Sequence, residues 1–390
     1  MHCSTKRICL HQKKFDKVPH RAPQKPYGIA AFGQKMGELK MRFNRREIIQ
    51  GASSVGIVGA ANIGGLNYVY SQDNHLIINI WGGRWERFWR EYIVPPFQQK
   101  TGTRVTVDVG LSVNFAANLR ATGKDNPQYS YLQLNELVGS LVRAEGYIEQ
   151  WPESKVPNLK NISPAAFIDE GRGVTIGISP VGISYRKDLV NTPPANWTDL
   201  WENPEFSGKL ALFNITNTVG YMFLMASSRI FGSGPFDFEA GFAAIEKLKP
   251  FRQADLASEM AVLLTRGEAV AGPLDIGEVA TLQSRGAPLG FAAPTEELFA
   301  FDQSFYLIKN GPNQDAACAF LDFMLSEEIQ EKLAQEFSLV PANTLVDVSS
   351  SVAEQLPEAA RDLANVAKFD WVKANQERDR AAEMWNRILR

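Results

Sequence analysis

Short apolar runs alternate with longer stretches of helical periodicity along most of this chain. The apolar runs have the length and composition of buried strands, and they predict strands over residues 75–80, 104–109, 129–134, 209–213, 269–274 and 289–293. The longer stretches collect apolar side chains on one face, and they predict helices over residues 84–100, 114–122, 138–145, 197–201, 220–231, 238–247, 257–266 and 278–285. Strands that alternate with helices of this length are typical of an α/β protein with parallel sheets and crossover helices.

Two extended segments and two long helical patterns complete this picture. Residues 173–185 are rich in Gly, Ile and Val, and we interpret Pro180 within them as a crossing between two lobes. Residues 301–308 form a second extended segment. The patterns over 314–338 and 357–389 predict long helices, the second of which is amphipathic and is expected to pack across the outside of a lobe.

A pair of arginines, Arg45 and Arg46, lies just before a charge-free run from Gly51 to Leu66. The run is too short and too weakly apolar for a stable membrane span. A basic segment followed by such a run is typical of a cleaved targeting segment, and the arginine pair resembles a twin-arginine (Tat) signal. A chance pair of arginines before a buried helix is the alternative interpretation.

We therefore assign residues 41–71 to a Tat-like signal segment, with cleavage expected near Ser71 and Gln72. Met41 would then be the start of translation. Residues 1–40 are basic and contain few apolar periodicities, so we expect this extension to be disordered or not translated.

Charge, cysteine and histidine counts exclude several classes of function. Residues 1–71 contain 12 Lys and Arg against 3 Asp and Glu, whereas the rest of the chain contains 29 against 40. An acidic body argues against nucleic-acid binding, which requires clustered Lys and Arg. After the signal segment only one cysteine, Cys318, and one histidine, His75, remain. An internal disulfide is therefore excluded there, and a Ser-His-Asp triad or a His-rich zinc site has almost no residues to be built from.

Several motifs then follow one another in a familiar order. They are Pro96-Phe97-Gln98-Gln99-Lys100-Thr101-Gly102-Thr103-Arg104-Val105, Arg143-Ala144-Glu145-Gly146-Tyr147-Ile148, Trp197 to Leu210 (WTDLWENPEFSGKL), Gly267-Glu268-Ala269-Val270-Ala271-Gly272, Ala317 to Leu325 and Glu327 to Leu333. Together they resemble the periplasmic solute-binding proteins of ABC importers, extracellular solute-binding family 1, in the branch that includes spermidine- and putrescine-binding proteins.

The resemblance implies a type II periplasmic-binding-protein fold, with two α/β lobes, a hinge and a ligand cleft between the lobes. It places the N-terminal part of lobe 1 at residues 72–179, lobe 2 at 180–300, and the return to lobe 1 with the C-terminal helices at 301–390. Open α/β sheets bind ligands at the carboxyl ends of their strands, so the residues that follow strands are the candidates for ligand contacts.

On lobe 1, Trp81 ends the first predicted strand, where the resemblance implies an aromatic platform for the ligand. A tryptophan face suits a cation or an apolar ligand body, although a core position is the alternative. Trp85, one turn further on, is expected to pack in the core. Asn135 follows the 129–134 strand, and a ligand contact and a simple helix N-cap suit it equally well.

On lobe 2, the polar loop with Asn214, Asn217 and Thr218 leads into a helix and suits an anionic or carboxylate-bearing group. Polyamine binders carry acidic residues in the matching loop, so this chain departs from them. Asp275 follows the 269–274 strand and could pair with a ligand amine, or cap the next helix. Asp302, at the second crossing, would do the same or hold the hinge.

The leading hypothesis is thus the substrate-binding component of an ABC importer, periplasmic and monomeric, which delivers a small amine-containing solute to a permease and ATPase complex. The solute would be polyamine-like, amino-acid-like or opine-like, and no cofactor, metal or catalytic residue is expected. An exported enzyme, a receptor that signals to a membrane sensor, and a sugar binder stay open as alternatives. A ferric-iron binder is disfavoured because no Tyr-Tyr pair occurs.

Overall fold

The computed structural model describes residues 74–347, 358–361 and 363–388. The predicted extension, signal segment and cleavage site lie outside these residues. The strands are β1 (His75–Ile80), β2 (Arg104–Val109), β3 (Tyr131–Leu134), β4 (Ile148–Glu149), β5 (Phe167–Ile168), β6 (Gly173–Arg186), β7 (Leu210–Phe213), β8 (Phe251–Ala254), β9 (Ala271–Asp275), β10 (Leu289–Ala292), β11 (Phe299–Ile308) and β12 (Val340–Pro341).

The α-helices are distributed between and after these strands. They are α1 (Arg84–Phe88), α2 (Val94–Thr101), α3 (Ser112–Thr122), α4 (Glu136–Ala144), α5 (Asp199–Glu202), α6 (Thr218–Phe231), α7 (Phe238–Glu246), α8 (Ala257–Thr265), α9 (Ile276–Ser284), α10 (Gln314–Met324), α11 (Glu327–Phe337) and α12 (Trp371–Ile388). No helix within the described ranges is both long and apolar enough to span a membrane.

Strands β1 and β2 form a parallel pair, and the other strands join one mixed sheet whose main order is β3-β11-β6-β9-β7-β8. Two large hydrophobic cores define two lobes, and a third, smaller cluster of lobe 1 packs α3, α4 and β3 against the end of β11. Lobe 1 buries residues of β1, α2, α10 and α11, and lobe 2 buries residues of β7, β9, α6, α7 and α8. The predicted α/β architecture of two lobes is confirmed, whereas the prediction of parallel sheets is wrong for the main sheet, because β6 and β11 cross it antiparallel to their neighbours.

The hinge consists of the antiparallel strands β6 and β11, which extend through both lobes. In β6, Ile176 belongs to the core of lobe 1 and Ile183 to that of lobe 2. In β11, Phe299 lies in lobe 2 and Phe305 in lobe 1. Pro180 pairs with Ala300 between these positions. Each strand therefore carries the chain from one lobe to the other.

The predicted helix over 84–100 contains one turn of π-helix, Trp89–Ile93, between α1 and α2. Pro95 and Pro96 follow this turn. Proline has no N–H and cannot complete the regular hydrogen-bond ladder, and a one-turn widening is how helices accommodate such a defect.

The prediction of one long helix over 314–338 is wrong, because the chain breaks between α10 and α11. Buried amide side chains bind the carbonyl groups that the break releases: Gln330 Nε2 donates to Met324 O, and Asn343 Nδ2 donates to Leu325 O, each at 2.8 Å. Ser326 followed by Glu327 and Glu328 is the local signal for this break, since serine is a preferred residue at a helix start.

The predicted C-terminal helix over 357–389 is also too long, because α12 begins only at Trp371. Its buried residues Ala374, Ala381 and Trp385 belong to the core of lobe 2. The same helix reaches lobe 1, where Asn375 Nδ2 donates to Leu137 O of α4 at 2.8 Å. Helix α12 is therefore a third link between the lobes.

Candidate functional site

A cleft of about 380 Å³ lies where the strand ends of the two lobes meet. Four of the residues predicted from the sequence line it together: Trp81, Asn135, Asp275 and Asp302. Trp81 directly follows β1, Asn135 follows β3, and Asp275 is the last residue of β9, while Asp302 lies on the hinge strand β11. The cleft thus collects residues that are far apart in the sequence.

Trp81 is partly exposed and makes an edge-to-face contact with Trp85, with ring centroids 5.7 Å apart and an interplanar angle of 74°. Trp85 in turn stacks on Phe337 at 4.2 Å and 6°. Trp85 packs against the core of lobe 1, as the sequence indicated. The ring of Trp81 therefore lies against the edge of a packed stack of Trp85 and Phe337.

Asp302 lies on the hinge between the lobes and accepts several hydrogen bonds. Its carboxylate oxygens lie 2.9 and 3.0 Å from the Glu136 backbone N–H, and Ser304 Oγ donates at 2.6 Å. Burial removes water from the charged form and raises the pKa of Asp302 to about 6. In the described chain Asp302 takes part in no ion pair, and Arg143 of α4 is paired with Glu136 at 2.5 Å and with Asp169 at 3.1 Å.

Asp275 combines a structural task with a position in the cleft. Its Oδ1 accepts from the Glu278 backbone N–H at 3.0 Å, which caps α9, and lies 3.5 Å from Ser179 Oγ. Burial raises the pKa of this carboxyl group as well. Among the described residues no cationic group is ion-paired with Asp275. The helix cap that the sequence left open is therefore present, and the same side chain lines the cleft. Its pairing with a ligand amine stays a prediction.

Asn135 likewise caps a helix at the edge of the cleft. Its Oδ1 accepts from the Val138 backbone N–H at 3.3 Å, at the start of α4. The residue lines the cleft next to Asp302, whose carboxylate binds the following N–H. Its contact with a ligand stays a prediction.

The structure does not bring Asn214, Asn217 and Thr218 into this cleft. Asn214 Oδ1 accepts from Thr216 N at 3.0 Å, within its own loop. Asn217 caps α6 through Val219 N at 2.9 Å and donates to Asp255 O at 3.1 Å. Thr218 is the first residue of α6. The side chains of Asn214 and Asn217 bind the backbone of this region, and a ligand role for these three residues stays a prediction.

Arg84, Ser179 and Gln303 also line the cleft, although sequence reasoning did not single them out. The signal for Arg84 was its place three residues after Trp81, at the start of the helix that follows the strand end. Its Nε donates to Glu336 Oε1 at 2.9 Å, and its guanidinium lies 5.0 Å from the ring centre of Phe337. Within the described ranges no cluster of three His, Cys, Asp or Glu residues is arranged to hold a metal ion.

A family model described as bacterial extracellular solute-binding protein matches residues 93–360 of this chain. The chain belongs to this family. The predicted family resemblance is confirmed, and membership of an extracellular family places the solute-binding protein among exported proteins.

Known relatives are similar over most of their length. The gamma-aminobutyric acid-binding protein of Pseudomonas aeruginosa is 22% identical over 255 residues, which are 62% of this chain and 71% of the relative. The putrescine/agmatine-binding protein of the same organism is 22% identical over 273 residues, 62% of this chain and 73% of the relative. The crystal structure of a putative extracellular solute-binding protein from Bordetella parapertussis is 25% identical, with a TM-score of 0.74, and covers 82% of this chain and 99% of its own.

Proposed function

We propose that this solute-binding protein captures a small amine-containing organic solute between its two lobes and delivers it to an ABC importer. One observation carries the proposal. Asp275 and Asp302 line the same cleft, partial burial raises the pKa of both carboxyl groups, and within the described chain neither has a cationic partner.

Burying a charged carboxylate costs free energy. A carboxylate that loses water without gaining a cation is unfavourable, so its pKa rises until it takes up a proton. An ammonium group in the cleft supplies the missing positive charge and restores the ionised form. The supported ring of Trp81 adds attraction, because an aromatic face favours a cation within about 6 Å of its centre.

The relatives support the same class of solute. Two of the proteins to which this chain is similar are named for gamma-aminobutyric acid and for putrescine or agmatine, which all carry amino or guanidino groups. The closing of two lobes around such a solute would be driven by ligand contacts from both lobes. The proposal includes recognition of the closed, monomeric form by a permease and ATPase complex, and export to the periplasm through the Tat-like signal.

Isothermal titration calorimetry of the purified protein against amines, amino acids, opines and sugars tests this proposal. We expect binding by at least one amine-containing compound. Asp275→Asn and Asp302→Asn should each weaken it by on the order of 100-fold, since a buried charge loses its partner. Asp315→Asn is the matched control, because Asp315 is a surface carboxylate with 79% side-chain exposure. Binding of neutral sugars alone, or of amines unaffected by both cleft variants, would contradict the proposal.

A further inference from the structure

Arg84 is the single cationic side chain among the described residues that line the cleft. Arg84 lines the same cleft as Asp275 and Asp302, and its positive charge is opposite to theirs. A solute with only ammonium groups would bind best to a uniformly anionic wall. The cleft does not have such a wall. It is a dipolar site, with the carboxylates of Asp302 on the hinge and of Asp275 and Glu278 on lobe 2, and a guanidinium on lobe 1.

The guanidinium of Arg84 is held in position by neighbours on one side. Its Nε donates to Glu336 Oε1 at 2.9 Å, a second nitrogen donates to Glu336 O, and the group lies over the ring of Phe337. The remaining terminal nitrogen makes only a long contact, 3.4 Å, to Thr281 Oγ1 of α9. Because a guanidinium has five N–H groups and no acceptor, donors remain for a further anionic partner in the cleft.

We propose that Arg84 binds a carboxylate of the solute, so that the preferred ligand is an amino acid whose ammonium group is separated from its carboxylate, rather than a diamine. This inference rests on the proposed function, since it assigns the ammonium end to Asp275 and Asp302. The carboxylate end then lies at Arg84, on lobe 1.

The two classes of solute differ in how they meet Arg84. A solute carboxylate forms charge-assisted hydrogen bonds with a guanidinium, and these are stronger than hydrogen bonds between neutral groups. A diamine of the same length places a second ammonium near a fixed positive charge and leaves the free donors of Arg84 without an acceptor. We expect the matched amino acid to bind on the order of 10- to 100-fold more tightly than the diamine.

Calorimetry with matched probes tests this inference on the full chain. The probes are a series of unbranched ω-amino acids, the diamines of the same chain length, and the corresponding monoamines. The wild-type protein should prefer an ω-amino acid over its matched diamine and monoamine. Arg84→Gln should remove that preference, with a 10- to 100-fold loss for the amino acid and little loss for the monoamine. Arg84→Lys should restore part of it, because the charge returns without the planar fork.

The Glu336→Gln variant distinguishes binding of the solute carboxylate by Arg84 from a purely structural role of Arg84. It removes the ion-pair partner of Arg84 but leaves the guanidinium in the cleft, so the preference for the amino acid should be kept. A role of Arg84 only in local structure would instead make Glu336→Gln and Arg84→Gln lose affinity for all three probe classes in parallel, which would overturn the inference. Thermal unfolding of each variant confirms that the protein is folded.

The outcomes also distinguish this inference from the proposed function. A diamine or monoamine that binds as tightly as its matched amino acid would overturn the role of Arg84 while leaving amine capture intact. If no amine of any class binds, both proposals fail together. If Arg84→Gln still prefers the amino acid, then a group other than Arg84 binds its carboxylate. This outcome would also overturn the inference.

Discussion

The side chain of Asn79 forms both of its short hydrogen bonds with the backbone of a single residue, Gln133. Asn79 Nδ2 donates to Gln133 O, and Asn79 Oδ1 accepts from Gln133 N, each at 2.8 Å. Asn79 is fully buried on β1 and Gln133 on β3, and these two strands have no backbone ladder between them in the described structure. One amide therefore joins the strand that ends at Trp81 to the strand that ends at Asn135.

Replacing Asn79 by alanine should destabilise the protein and loosen the cleft. The backbone N–H and C=O of Gln133 would remain buried without a partner, at about 1–3 kcal/mol for each group. We expect the free energy of unfolding in urea to fall by roughly 2–5 kcal/mol, with weaker solute binding. Asn118→Ala is the control, since Asn118 is exposed and makes a 3.4 Å contact with Tyr129. Equal effects of the two substitutions would contradict the linking role of Asn79.

Solute binding should depend on pH through Asp302. The pKa of its carboxyl is raised to about 6 by burial, whereas a bound ammonium requires the ionised form. Affinity should therefore fall as pH decreases below about 6, by up to tenfold per pH unit for one proton. Calorimetry over a pH series measures this slope, and Asp302→Asn should reduce both the affinity and the slope. An affinity of the wild-type protein that stays constant between pH about 7 and about 5 would be inconsistent with the raised pKa.

The stability of the ligand-free protein should change with pH in the opposite direction. The pKa of Asp302 is higher in the folded protein, at about 6, than its ordinary value of 3.8, so the folded state holds this proton more tightly. This contribution to the free energy of unfolding is complete below pH 3.8 and is lost as pH rises through about 6. Comparison of wild type with Asp302→Asn in urea isolates it from the other titrating groups. A difference between the two that does not vary across this window would contradict the assignment.

Trp81→Ala should weaken binding of the best amine by on the order of 10-fold, while Trp81→Phe should keep part of the affinity, because an aromatic face remains. The rings of Trp85 and Phe337 are already stacked on each other at 4.2 Å, so the core beneath position 81 should survive both changes. Calorimetry measures the affinities, and thermal unfolding reports the integrity of the fold. Unchanged affinity in Trp81→Ala would exclude Trp81 as the platform.

Trp385→Ala should destabilise lobe 2 by about 3–5 kcal/mol, as for other large buried aromatic residues. Trp385 is 3% exposed, and its ring lies 6.2 Å from those of both Phe242 and Phe251. Arg387→Ala on the exposed side of the same helix should change stability by less than about 0.5 kcal/mol. Urea unfolding compares the two variants, and similar small losses would show that α12 is not part of the core.

Much of the fold was predictable because its strands are short apolar runs that end at recognisable polar residues. β1 and β2 have the predicted bounds, and Asp275 was visible as a carboxylate at a strand end. The sequence could not show that Asn214, Asn217 and Thr218 lie outside the cleft. Polar loop residues at a helix start look alike whether they cap the helix or contact a ligand, and only tertiary contacts such as Asn217 with Asp255 separate the two.

The roles of Arg84 and Asn79 could not be predicted from the sequence, because both depend on residues that are distant along the chain. The neighbours that give Arg84 its role, Glu336 and Thr281, lie in distant parts of the sequence, so no local pattern reveals it. Asn79 lies within an apolar strand, where a polar residue is expected to be unfavourable for burial. Its value becomes clear only when Gln133 is placed beside it.

Helix α12 also has a consequence for the order in which this chain reaches its native state. Its residues Ala374, Ala381 and Trp385 complete the core of lobe 2, yet they are synthesised after all the strands of that lobe and its helices α5 to α9. A nascent chain that lacks them exposes the apolar surface of α7 and β8, because Phe242 and Phe251 pack against Trp385 in the folded protein. Lobe 2 therefore finishes folding only after translation has passed residue 385, and a lobe with that surface exposed is a natural substrate for chaperones in the interval.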